Sequence, residues 1–398
     1  MLALLGATQD SFGEAAHVLE RLTLVHVSAN SVRDATEQLG AVLLAQPTPP
    51  VADPAPRLGS APSAAASPSR RYITMDGVLA HLHERGWSEI KVGCCYQTHS
   101  RPDRTRPDQR EIRAHRASYV TALEEAQTFG WRLWAEAVRR GVLTSAEVVV
   151  LGDGAHWIWN IATTHFPRAT QILDWYHASE YVWHAASAIW GEAGAQRAPW
   201  AACQLDALWA GKVEAVLTEL AQWPERGEAV AAAVSYSTTH QGRMDYPSYR
   251  ARGLQIGSGR VESACKQLVS ARFKQAGMIW DAPGAEAVAT VRAWLKSERW
   301  EEALALRGVR RRTYRRGRAA RERAGCAGEE DAAGAGTRAA GRAHGHARWQ
   351  ELSADMLVQV RAELAAQRGK HVWRRAGSGQ HQAEQAAQCE EGRPAIVP

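Results

Sequence analysis

The chain has 398 residues and a formal net charge of +6 at pH 7, and its uneven positive charge favours a polyanionic partner over a small acidic substrate. Its six cysteines, at positions 94, 95, 203, 265, 326 and 389, include no Cys-x-x-Cys pair, which argues against a zinc ribbon within the chain. No apolar run approaches the roughly 20 residues that span a bilayer, and the first residues lack a secretory signal pattern, so we expect a cytoplasmic protein.

The N-terminal segment, residues 1–42, carries two helical patterns. Ser11 followed by Glu14 is a capping box before an amphipathic stretch, and a second pattern covers residues 31–39. Two short helices with a tight connection indicate either a helix-turn-helix that binds DNA or a helical hairpin that caps the next domain. Both interpretations stay open, because the segment is short and its second helix carries only Arg33 as a base.

Residues 43–70 are predicted to be a linker. Their composition is dominated by Pro, Ala and Ser, with prolines at 47, 49, 50, 54, 56, 62 and 68. Such a segment cannot bury enough apolar surface to offset the entropy lost on folding. We therefore expect a flexible connection between the N-terminal helices and the rest of the chain.

Residues 71–190 are predicted to form an α/β core. Alternating polarity over 72–81 and 88–97 predicts a hairpin, a third strand is expected near 111–116, and a helix is expected from about 119 to 140. The β-branched run at 148–151 is typical of a central strand that is covered on both faces, and a short strand follows at 170–173. Hairpin, strand, helix, strand, helix is the element order of a ribonuclease H-like mixed sheet flanked by helices.

The rest of the chain is predicted to be helical and then irregular. Residues 191–255 form an all-helical insertion whose tryptophans we expect in the core, and residues 256–303 hold two further helices, at about 260–275 and 284–300. Residues 304–398 are rich in Arg, Gly and Ala and are expected to be disordered, with one weak helical pattern at 353–367.

Three acids occupy settings that suit metal-dependent phosphodiester chemistry. Asp76 lies at the centre of a strand, Asp153 at the end of a buried strand, and Glu262 in the first turn of a helix. In this order they match the acid signature of ribonuclease H-like polynucleotidyl transferases. Their carboxylates are expected to hold two Mg²⁺ or Mn²⁺ ions roughly 3.5–4 Å apart.

Each acid also has an ordinary structural interpretation. The Asp76-Gly77 pair could form a turn or bulge, Asp153 could be a helix N-cap, and Glu262 could pair with Lys266 four residues later. The order and setting of the three acids together favour the functional interpretation.

Three segments resemble a known family: VVVLGDGAHWIWN at 148–160, FPRATQILDWYHASEY at 166–181, and the long stretch at 243–280. They are similar to the transposases of ISKra-type insertion sequences, bacterial relatives of the Mutator-like DDE enzymes. The resemblance covers roughly residues 10–40 and 71–300. It implies an Asp–Asp–Glu active site on Asp76, Asp153 and Glu262, with a helical insertion between the second and third acids.

The same resemblance matches Asp174 and His177 to the Asp/Cys-x-x-His element that Mutator-like enzymes place after the second acid. The spacing does not settle the role of this element. Asp174 could support the active site, or it could be a helix N-cap with His177 as an ordinary residue on the helix face. Two ligands alone rarely hold a transition metal.

The predicted function is DNA transposition: metal-dependent cleavage and strand transfer at the ends of an insertion sequence. The expected partners are terminal inverted repeats, target DNA and further copies of the chain on DNA, with nucleoid association and with neither a membrane nor a small-molecule substrate. Two alternatives stay open, a non-catalytic relic that represses transposition and a nuclease that only hydrolyses. Cations expected to bind phosphates, although each could be solvated surface, are Arg243, Arg250, Arg252, Lys266, Arg272 and Lys274.

The segment after residue 306 does not resemble the family. Its arginine-rich composition is compatible with a DNA-binding arm and equally with a frameshifted reading of a GC-rich gene.

Overall fold

The computed structural model describes residues 1–46, 67–102 and 110–308. Most of the predicted linker, and the predicted tail beyond residue 308 with its weak helical pattern at 353–367, lie outside the described residues.

A five-stranded mixed sheet forms the centre of the described chain. The strand order is β3-β2-β1-β4-β5, with the β1–β2 and β2–β3 pairs antiparallel and the β1–β4 and β4–β5 pairs parallel. The predicted hairpin and central strand are therefore confirmed. This mixed α/β arrangement, a mixed sheet flanked by helices, is compatible with a ribonuclease H-like fold. The strands are β1 Ser67–Leu82, β2 Gly86–Pro102, β3 Arg110–Ala122, β4 Ser145–Gly152 and β5 Thr170–Leu173.

The sheet is covered on both faces. Helix α4 (Ala126–Arg139) packs on β2 and β3, and an added Cβ at Gly93 would lie only 2.7 Å from Leu133 Cδ1. Glycine at this position thus lets the helix approach the sheet closely. Helix α11 (Gly259–Cys265) packs on β1 and β2. Because helices cover the sheet, Val149, Val150 and Leu151 of the central strand are fully buried.

The third strand is longer than its sequence pattern predicts. The helix expected from residue 119 begins only at Ala126, because residues 119–122 pair with β2 as the end of β3. The backbone N–H of Tyr119 also donates to Ser297 Oγ at 2.8 Å. Ladder pairing with a distant strand overrides the local helical pattern here, so the predicted start of this helix is wrong.

Between β4 and α11 the chain is mainly helical. Helices α5 (His156–His165) and α6 (Trp175–Trp190) flank β5, and the segment predicted as an insertion contains four further α-helices. Trp200 is buried there and donates its Nε1–H to Glu219 at 2.9 Å, whereas the Trp209 ring is partly exposed. The four helices are α7 Arg197–Trp209, α8 Val213–Leu220, α9 Glu228–His240 and α10 Tyr246–Ala251.

Helix α11 continues through a π-helical turn, Lys266–Ser270, and a last short turn, Ala271–Phe273. The closing helix, α12 (Ala282–Lys296), ends before the predicted residue 300, and a separate helix follows at 300–308. Within the described ranges, no helix combines the length and the apolar character that crossing a membrane requires.

The N-terminal segment forms three helices, α1 (Leu2–Thr8), α2 (Phe12–Thr23) and α3 (Ala29–Leu44), of which α1 was not predicted. Ser11 Oγ accepts from the N–H of Glu14 at 3.0 Å, so the predicted cap is confirmed. Helix α3 packs closely on α12, where a Cβ at Gly40 would lie 2.3 Å from the Ala287 oxygen. This packing agrees with a helical cap on the core, while DNA binding by the segment stays a prediction.

Candidate active site

Three acids lie on neighbouring strands of the sheet: Asp76 within β1, Asp153 directly after β4 and Asp174 directly after β5. The β1–β4 register pairs Thr74 with Leu151, so two residues further on Asp76 lies beside Asp153. The β4–β5 register ends at Gly152 and Leu173, so Asp174 follows beside Asp153 on the other side. The Asp174 N–H donates to the Gly152 oxygen at 2.8 Å. The prediction that Asp76 and Asp153 occupy neighbouring strands is confirmed.

Asp76 is half-buried at one end of this row, beside Asp153. Its Oδ1 accepts from the N–H of Gly77 at 2.6 Å, and its carboxyl also bonds to the Cys265 thiol. Burial raises the pKa of Asp76 above its usual value, and the Asp153 carboxylate acts in the same direction, against the bonds to Cys265 and Gly77 and the charge of His177. Two carboxylates that repel each other in a partly buried site form a place where a cation is stabilised.

Asp153 follows the central strand in a tight loop. Its Oδ1 accepts from the N–H of Ala155 at 2.9 Å, and α5 begins after Ala155, so Asp153 is not the N-cap of that helix. Gly154 has φ +107°, and a Cβ there would lie 2.5 Å from the Tyr236 ring. The Tyr236 hydroxyl donates to the Asp153 carbonyl oxygen. Tyr236 of the insertion helix α9 therefore holds this loop in place, and only a glycine at position 154 leaves room for the tyrosine ring.

Glu262 lies in the first turn of α11, with its carboxylate near Asp174 and His177. Its Oε1 accepts from the Ser258 hydroxyl at 3.1 Å. Cys265, one turn later, bonds to Asp76; burial first, and then the nearby Asp76 and Glu262 carboxylates, raise the pKa of this thiol. Cys265 thus lies near both the first and the third acid. Within the described ranges, the alternative ion pair between Glu262 and Lys266 does not form.

Asp174 and His177 form a bonded pair beside the three predicted acids. Asp174 is fully buried, and its Oδ1 accepts from the His177 N–H at 2.9 Å, which makes it the N-cap of α6. Burial opposes ionisation of Asp174, but bonds from His177 and Ser258 outweigh it and lower its pKa. The bond to Asp174 raises the pKa of His177 to about 9 against the effect of burial. This pKa favours the protonated imidazole, and the nearby Asp153 carboxylate acts in the same direction.

The ligand atoms of Asp174, His177 and Glu262 all lie within 4.8 Å of one another. In this trio both oxygens of Asp174 already accept from N–H groups, which leaves them less free to bind a metal ion. Asp153 and Glu262, in contrast, each engage one carboxylate oxygen in the hydrogen bonds of the described residues. The Asp76, Asp153 and Glu262 carboxylates are hard oxygen donors of the kind that suits Mg²⁺ or Mn²⁺, but among the described residues their ligand atoms do not all lie within 4.8 Å of one another.

Three of the predicted phosphate-binding arginines have protein partners. Arg243 donates to Gln171 at 2.8 Å and lies over the Trp159 ring. Arg250 stacks on the partly exposed Trp209 ring, 3.8 Å from its centroid. These contacts stabilise the insertion and its attachment to the sheet. Arg252 bonds to Glu147 and Thr170. DNA binding by these three arginines stays a prediction.

Arg272 is only 1% exposed, and its guanidinium lies over the adjoining rings of Phe12 and Trp280. Burial lowers the pKa of its guanidinium to about 10. A side chain enclosed in this way cannot meet a phosphate, so the prediction that Arg272 binds DNA is wrong for this structure. Lys266 and Lys274 are exposed, and for them phosphate binding stays a prediction.

Sequence reasoning did not find Tyr236, Ser258 or Cys265. The cysteine and serine lie near Glu262 in the chain and could have been noted as neighbours on its helix. Tyr236 is separated from Asp153 by 83 residues, and no local pattern links the two.

A scan of the chain against models of known protein families found no match, and a search of curated proteins found none either. The protein is therefore classed by its own fold and site, as a mixed α/β protein with a row of acids across three neighbouring parallel strands.

Proposed function

We propose that this protein is a DNA transposase with a ribonuclease H-like catalytic domain, in which Asp76, Asp153 and Glu262 are the catalytic acids. The observation that carries the proposal is the position of Asp76 beside Asp153, two residues beyond the last β1–β4 pair, with Cys265 of α11 near both Asp76 and Glu262. The order of the five strands is compatible with the proposed fold.

The donor set of these three residues fits a pair of Mg²⁺ or Mn²⁺ ions. Bound there, such ions would supply activation of an attacking oxygen and stabilisation of a leaving oxygen at a phosphodiester. The protein holds its carboxylates for this task in three different ways. Asp76 is fixed within a long strand, Asp153 by a loop clamped under Tyr236, and Glu262 by the first turn of α11.

Positive groups beside the acids suit a phosphodiester substrate. Lys266 is exposed four residues after Glu262 and lies on the same face of the helix, where it would bind a phosphate that flanks the scissile bond. The His177 side chain lies near both Asp76 and Asp153, and its protonated form would offset part of their repulsion. The segments similar to ISKra-type transposases support terminal inverted repeats as the DNA that is cut and target DNA as the strand acceptor.

The test is a strand-transfer assay with the full chain and labelled DNA that carries the inverted repeats flanking its gene. With Mg²⁺ or Mn²⁺ we expect cleavage that leaves a 3′-hydroxyl, followed by a joined product with target DNA, and EDTA should remove both. Cleavage without any joined product would instead identify a nuclease. Binding of the repeat DNA without cleavage, in both Mg²⁺ and Mn²⁺, would identify a non-catalytic repressor. Each of these two results would reject the proposal.

A further inference from the structure

A chain of hydrogen bonds connects buried Asp174 to Glu262. Asp174 Oδ2 accepts from the backbone N–H of Ser258, and the Ser258 hydroxyl donates to Glu262 Oε1 at 3.1 Å. Ser258 itself is 2% exposed, so water does not compete freely for these bonds. These hydrogen bonds connect the residue after β5 with the first turn of α11.

The loop before α11 is held against the start of α6 by further contacts. The Trp175 N–H donates to the Ile256 oxygen at 2.9 Å, beside the Asp174–Ser258 bond. Gly257 lies directly on the Tyr176 ring, where an added Cβ would come within 2.9 Å. The loop therefore has little freedom, and the direction of the Ser258 hydroxyl is fixed relative to the sheet.

An N-cap role explains only part of the bonding of Asp174. Capping α6 requires one carboxylate oxygen, which accepts from the His177 N–H. The second oxygen accepts from Ser258, which belongs to the other helix. A buried carboxylate without this second partner would be destabilised, so Asp174 and the start of α11 stabilise each other.

We propose that Asp174 and Ser258 are positioning residues that orient the Glu262 carboxylate toward the Asp76–Asp153 pair. This inference rests on the proposed function, because it assigns Glu262 as a metal ligand. Asp174 and His177 then act through Ser258 rather than as ligands. Partners that orient metal ligands in this way typically change metal affinity or activity about 10–100-fold when they are removed.

The experiment measures Mn²⁺ binding to the full chain without DNA, from the electron paramagnetic resonance signal of free Mn²⁺. Ser258→Ala removes the hydroxyl but keeps the backbone N–H that Asp174 needs. We expect its Mn²⁺ affinity to fall about 10-fold, with an unchanged melting temperature and unchanged binding of end DNA. Ser263→Ala is the matched control, since this neighbouring serine bonds to Gln267 and not to Glu262.

A second variant examines the other end of the chain of bonds. Asp174→Asn should increase amide hydrogen exchange in residues 256–262 and weaken Mn²⁺ binding at least as much as Ser258→Ala does. If Ser258→Ala binds Mn²⁺ as tightly as the wild type does, the positioning role is overturned, even if the wild type cuts DNA. Weakened Mn²⁺ binding in a protein that never cuts DNA would support the positioning role and reject transposition. Absence of Mn²⁺ binding to the wild type would overturn both proposals.

Discussion

Replacing Asp153 with asparagine should reduce cleavage of end DNA at least about 1,000-fold while binding of the same DNA changes less than about twofold. The amide oxygen can still accept from the Ala155 N–H, so the loop after β4 keeps its shape. The change removes the negative charge and one metal-binding oxygen from the centre of the acid row. A loss of about 4 kcal/mol of transition-state stabilisation corresponds to this rate effect. Single-turnover cleavage with Mn²⁺ beside a gel-shift titration measures both quantities.

The matched control for this variant is Asp206→Asn, which removes the same charge from an exposed position on insertion helix α7. It should cleave at the wild-type rate. Cleavage by Asp153→Asn within about tenfold of that rate would contradict the assignment of Asp153, since removing a ligand of the essential ions should reduce the cleavage rate much more.

Replacing Gly40 with alanine should destabilise the protein by about 2 kcal/mol, although the same change usually stabilises a helix. The added Cβ would lie 2.3 Å from the Ala287 oxygen and 2.6 Å from its Cα, both backbone atoms of α12. Neither helix can relieve this overlap by turning a side chain, so α3 must move away from α12. Urea unfolding followed by tryptophan fluorescence gives the free energy of unfolding.

Gly13→Ala is the control, because it places the same methyl group in α2, where the nearest atom it meets, Ser11 Oγ, lies at an ordinary van der Waals distance of 3.7 Å. This variant should be neutral or more stable by up to about 1 kcal/mol. If Gly40→Ala behaves in the same way, α3 does not pack on α12 in solution. The N-terminal helices would then be free to act as a separate DNA-binding unit.

The elements that sequence analysis predicted well are those that local patterns determine. The apolar run at 148–151 lies within β4, and the short strand predicted at 170–173 coincides with β5. Asp153 could be placed because a glycine and a helix start follow a buried strand. Asp76 could be placed because alternating polarity marks its strand, and the register with β4 then brings the two acids together.

The features that sequence analysis missed depend on contacts between distant parts of the chain. The Tyr236 bond to Asp153 and the Ser258 bond to Asp174 each join elements about 80 residues apart. Residues 119–122 have a helical pattern, but pairing with β2 makes them a strand. Arg272 was expected on the surface because arginine is rarely buried, and only the packing of Phe12 and Trp280 around it reveals its position.

The most direct test of the account is to locate Mn²⁺ in crystals of the full chain from anomalous scattering. We predict two peaks roughly 3.5–4 Å apart. Carboxylate oxygens of Asp76, Asp153 and Glu262 should coordinate them at metal–oxygen distances of roughly 2.0–2.6 Å. A single peak held by Asp174, His177 and Glu262, with none beside Asp76 and Asp153, would contradict the assignment of the active site.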